Sequence, residues 1–90
     1  MDLYSRAQTR IKMLGGSFNS DDITMVCFEK SIQQIRDFCN INEIPKETEV
    51  YAAEWLAADY LTETEGYSKQ WERIRAEAEI GLIRFRRMRW

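Results

Sequence analysis

Pro45 is the only proline in this 90-residue chain, and apolar residues recur at helical spacing on both sides of it. Proline fixes φ, removes a backbone donor and pushes the preceding residue out of the helical region. One proline therefore enforces one break and leaves the rest of the chain free to stay helical. A 3.6-residue apolar period runs through nearly every other segment, which is the primary signal for amphipathic helices. There are no internal repeats and no low-complexity stretches. The fold class read from this pattern is all-α: a small bundle of four helices, or five, with a basic C-terminal tail. Residues 1–90 form one helical domain, in which 83–90 can extend as a docking tail.

Cap chemistry places the elements. A first helix is expected from about Leu3 to Leu14, with Asp2 as N-cap and Leu3, Ala7, Ile11 and Leu14 on one side. Gly15-Gly16 ends it, because glycine accepts the left-handed position after a helix. A second helix is expected from about Asp21 to Cys39, capped by Ser20, with Asp21 and Asp22 at the positive end of its dipole. Met25, Phe28, Ile32, Ile35 and Cys39 form its core stripe, and Asn40 suits its exit. A third is expected from about Lys46 to Thr62, opened by Pro45. Its main stripe is Val50, Ala53, Ala57, Tyr60 and Leu61. Tyr51, Trp55 and Ala58 form a second stripe on nearly the opposite side. The fourth starts near Ser68 and continues at least to Gly81, with Trp71, Ile74, Ala78, Leu82 and Phe85 inward and Ala76, Ile80 and Ile83 as a weaker second stripe. The ending Arg84-Phe85-Arg86-Arg87-Met88-Arg89-Trp90 reads either as the end of that helix or as a tail with alternating side chains.

A helix apolar on two sides is either sandwiched inside its domain or covered by a partner. Ninety residues supply little material to cover both sides and bury only a thin core. The expectation is therefore that Tyr51, Trp55 and Ala58 touch a neighbouring subunit or another helix face, and that they form the subunit interface together with Ile80 and Ile83. No apolar run approaches membrane length, and Met1 to Arg6 hold no signal-peptide core, so a cytoplasmic chain is expected. Cys27 and Cys39 lie on one helix about 18 Å apart, too far for a disulfide. Both are read as reduced thiols, with Cys39 in the core.

The net charge of −2 conceals segregation. Residues 1–20 carry three basic groups against Asp2, and residues 21–45 two basic against five acidic. Residues 46–67 hold Lys46 against six acids, and residues 68–90 seven basic groups against three acids. One copy's basic face can thus meet the next copy's acidic face, a head-to-tail contact that closes into a ring. The plainer alternative is uneven charge on solvated faces, since surface ion pairs are weak.

The same residues argue against an enzyme. There is no histidine, the commonest general base and metal ligand. The cysteine spacing does not suit zinc, and Gly15-Gly16 lacks the lysine of a phosphate loop. Carboxylates lie on polar helix faces. Catalytic, cofactor and metal residues are therefore assigned to none. A helix-turn-helix needs a tighter turn than the six residues Asn40 to Pro45, and its reading helix would be the most acidic part of the chain. Only the ending, Arg84, Phe85, Arg86, Arg87, Arg89 and Trp90, has the chemistry to grip phosphates and stack on bases. The same residues suit docking into a protein, and a frayed cationic terminus is the plain reading.

The run Phe28-Glu29-Lys30-Ser31-Ile32-Gln33-Gln34-Ile35-Arg36-Asp37-Phe38-Cys39-Asn40, then Ile41-Asn42-Glu43-Ile44-Pro45, then a helix with Val50, Ala53, Leu56 and Leu61, resembles the head–tail connector (adaptor) family of tailed phages and prophages. The resemblance covers the middle third of the chain; the first and last helices agree in type and order only. It implies a four- or five-helix subunit in a ring homo-oligomer of about a dozen copies below the portal protein. Such a subunit completes the DNA-filled head, continues the DNA channel and offers a platform to a stopper or tail-completion protein. It implies a virion location after assembly in the host cytoplasm. It assigns Ile83 to Trp90 to portal contact, although the arginine-rich ending departs from the family and leaves DNA open as its target. An acidic wall would let DNA slide past without sequence reading, and the third helix is the candidate for that wall. The alternative is a small DNA-binding accessory protein that uses the basic C-terminus. A regulator that binds one host protein is a third reading.

Overall fold

The computed structural model describes residues 3–16 and 22–87, the side chains of 22–24 and 85–87 excepted. Four α-helices follow one another: α1 (Leu3–Met13), α2 (Asp22–Cys39), α3 (Glu49–Glu65) and α4 (Lys69–Arg87). A single 3-10 turn, Lys46–Thr48, leads into α3. The all-α class is thus as expected. No fifth α-helix exists among the described residues.

The helix ends follow backbone chemistry. Gly15 takes φ of 88°. The Gly16 amide then donates to the Ile11 carbonyl and the Gly15 amide to that of Lys12, the paired bonds of a Schellman motif. Asn40 does the same for α2 at φ of 56°, with Ile41 bonded to Arg36 and Asn40 to Asp37. Asparagine tolerates this conformation better than other residues with a Cβ. Ser68 caps α4 by accepting the Gln70 amide on its hydroxyl. The expected caps Asp2 and Ser20 lie outside the described residues.

Two boundaries differ from the sequence reading. Residues Lys46 to Thr48 form a 3-10 turn closed by the Thr48 amide and hydroxyl on the Pro45 carbonyl, so α3 starts three residues late. It also ends three residues late, at Glu65. Thr62 and Thr64 return their hydroxyls to the carbonyls of Ala58 and Tyr60, and Gly66 at φ of 87° stops the helix. At the other end of the chain, residues 83–87 continue α4 and do not extend as a tail; 88–90 lie outside the described residues.

Helix α3 is the axis. Asp59 pairs with Arg75, and Tyr51 lies against Gly81, so α4 runs antiparallel to α3. Ser31 reaches Asp59 and Phe38 reaches Trp55, so α2 is antiparallel as well. Arg6 pairs with Glu49 and Arg10 with Glu54, while Gly16 lies against Leu61, so α1 accompanies α3 in the same direction. Eight residues of α3 are buried: Ala52, Ala53, Trp55, Leu56, Ala57, Ala58, Tyr60 and Leu61. All but Ala53 join Ile11, Phe28, Ile35, Cys39, Trp71 and Leu82 in one apolar cluster. The radius of gyration, 12.4 Å, matches the about 12 Å of a compact chain of this length.

Candidate functional site

The second stripe of α3 finds its cover inside the chain. Trp55 is 2% exposed and Ala58 1%. Phe38 of α2 meets the Trp55 ring edge-on at 5.5 Å between centroids, and Arg75 of α4 lies over it at 3.9 Å. Tyr51 is half-buried with its ring against Gly81, where any Cβ would collide with it. Trp55 and Ala58 are therefore corrected from neighbour-facing to core. The reason is geometric: α2 and α4 share the side of α3 that the sequence left uncovered.

A polar node ties these three helices together. Asp59 accepts the Arg75 guanidinium on one oxygen at 2.5 Å and the Ser31 hydroxyl on the other at 2.8 Å. Glu79 lies 3.7 Å from the far side of the same guanidinium. The Trp55 indole N–H is buried without an acceptor among the described residues. Beside the node opens a cleft of about 130 Å³ lined by Cys27, Lys30, Ser31, Gln34, Asp59, Thr62, Glu63 and Arg75. Burial pushes the Cys27 thiol above its ordinary pKa, and the charges of Asp59 and Glu63 push it further, while Lys30 opposes them. The thiol is held protonated, the opposite of an activated nucleophile. Among the described residues no cluster of His, Cys, Asp or Glu could hold a metal ion.

The segregated charges are also partly matched internally. Two acids of α3 face α1 through Arg6–Glu49 and Arg10–Glu54, and a third faces α4 through Arg75–Asp59. The acidic middle of the sequence thus lies between its basic ends. Eight of the seventeen residues of α3 are buried, and Glu49, Glu54 and Asp59 are engaged by Arg6, Arg10 and Arg75. Only its last turn, Thr62 to Glu65, is exposed throughout.

Of the remaining expected contact residues, Ile80 is 66% exposed and Ile83 half-buried on the outside of α4, with Arg84 exposed one turn on from Ile80. Phe85, Arg86 and Arg87 are helical, but their side chains lie outside the described residues, as do Arg89 and Trp90 entirely. Sequence reasoning missed three exposed apolar positions. Met13 and Val50 share a groove of about 220 Å³ between α1 and α3, although Val50 belongs by its spacing to the main stripe of α3. Val26, 63% exposed, edges a groove of about 200 Å³ with Cys27, Lys30, Tyr60, Glu63 and Thr64. The signal for Val26 was present, since it is apolar yet adjoins the α2 stripe instead of joining it.

No protein family, curated protein or solved structure compared with this chain matches it.

Proposed function

We propose that this chain is a structural subunit of a tailed-phage head–tail connector. It assembles as a ring under the portal, completes the DNA-filled head and passes it to a stopper or tail-completion protein. DNA traverses the ring without being read. The reading is carried by the wording of Phe28 to Leu61, with its helix, Ile-x-x-Ile-Pro turn and second helix. The parts of that wording have definite physical jobs. Asn40 makes the left-handed exit, Ile41 and Ile44 anchor the turn on the core, and Pro45 opens the 3-10 turn that leads into α3.

The outer face of α4 supports the same reading. Ile80 and Arg84 pair an exposed apolar group with a cation near the end of the chain, a combination suited to an interface centre. The test is decoration of a purified portal from the phage or prophage whose genes adjoin this one. Electron microscopy should show an added ring beneath the portal. A portal left bare at high chain concentration would refute the reading. Salt-sensitive binding to duplex DNA, abolished by replacing the arginines from Arg84 to Arg89, would favour the DNA-binding alternative instead.

A further inference from the structure

The two ends of α3 differ in character, and α4 fixes which end carries the C-terminus. Because Tyr51 rests on Gly81, the stretch beyond Gly81 lies at the N-terminal end of α3. That stretch, Arg84 to Trp90, holds four arginines, two aromatic residues and no acid. The groove edged by Val26 lies at the opposite end, beside Tyr60, Glu63 and Thr64. Its chemistry is complementary. Val26, Cys27 and Tyr60 offer apolar surface, and Glu63 is exposed on the rim. Glu29 follows three residues after Val26 on the same side of α2, against Lys30 alone among the basic residues lining the groove.

The segment Arg84–Trp90 cannot reach the groove of its own chain. Tyr51 and Glu63 are about 18 Å apart along α3, and the C-terminus starts beyond the Tyr51 end. The three residues after Arg87 span about 10 Å when extended. We propose that this groove receives the segment Arg84–Trp90 of a second copy. The contact joins unlike surfaces at opposite ends of the molecule, so it is head-to-tail and propagates to a ring if the rotation closes. It rests on the connector reading for its purpose, and it assigns the C-terminus to the next subunit.

Cys27 provides the test, since Cys39 is fully buried and cannot compete. Full-length chain carrying Arg89→Cys is oxidised at high concentration and low salt. The expected result is a covalent ladder of dimers and larger species that collapses to dimers or monomers when Cys27→Ser is added. Val26→Lys or Glu63→Lys, both at exposed positions, should lower the ladder about ten-fold. A ladder indifferent to all three substitutions, or none at all, overturns the contact. Portal decoration separates the two readings. If Val26→Lys chain still forms a full ring on the portal, the groove contact is wrong and the connector reading stands. If unmodified chain fails to decorate the portal while the ladder forms through Cys27, the contact stands and the connector reading fails.

Discussion

The guanidinium of Arg75 lies over the indole of Trp55, 3.9 Å from the ring centroid, while its edge binds Asp59. One side chain therefore covers the largest buried group of α3 and neutralises a half-buried acid. Stacking contributes about 0.5–2 kcal/mol and a charged hydrogen bond about 1.5–3 kcal/mol. Arg75→Ala should destabilise the fold by about 2–4 kcal/mol in urea unfolding. Arg75→Lys should cost less, because it keeps the stem and charge while losing the planar stack.

Gly81 sits in a helix interior, where alanine is normally about 1 kcal/mol better. Here a Cβ would enter the Tyr51 ring. Gly81→Ala should therefore destabilise by about 1–3 kcal/mol, the range of overpacking. In a Tyr51→Ala background the same change should become neutral or stabilising. Thermal unfolding of the four chains in this cycle checks the sign.

The hydroxyl of Ser68 accepts the Gln70 amide in the first turn of α4. Ser68→Ala should lower stability by about 1 kcal/mol, and Ser68→Asp should retain it. Urea midpoints measure both.

The Cys27 thiol is raised in the folded chain by burial, then by Asp59 and Glu63. Once pH exceeds the ordinary thiol range, about 8.5, the unfolded chain loses this proton while the folded chain keeps it. Folding stability from this group is then present below that range and falls as pH rises through it. Cys27→Ser should flatten the alkaline decline in urea midpoint. Glu63→Gln should speed alkylation of Cys27 at pH 8.

Ile80 is mostly solvent-exposed on α4. Ile80→Asp should change stability by less than about 0.5 kcal/mol. On the connector reading it should nevertheless weaken ring formation on a portal, read as subunit occupancy by native mass spectrometry.

The sequence was legible where backbone chemistry is local. Gly15, Asn40 and Ser68 mark helix ends because a left-handed φ or a capping hydroxyl needs no distant partner. It was misleading where apolarity is visible but its cover is not. Trp55 looked outward because nothing in its own helix tells that Phe38 and the stem of Arg75 close over it. The error with Val50 is the converse, since periodicity gave a face and α1 left that part of it open. The extra turn of α3 was hidden because Thr62 and Thr64 are polar and exposed, so no stripe continues through them. Charge segregation was read correctly as a pattern, but its first use is internal, through Arg6, Arg10 and Arg75.

The central position of α3 has one more consequence. Each surrounding helix answers to that core strut along its inner side, while its outward residues answer to water or visitors. Substitutions on the outsides of α1, α2 and α4 can accumulate separately without disturbing the strut. Such a molecule can acquire new companions one flank at a time and still fold in the same way.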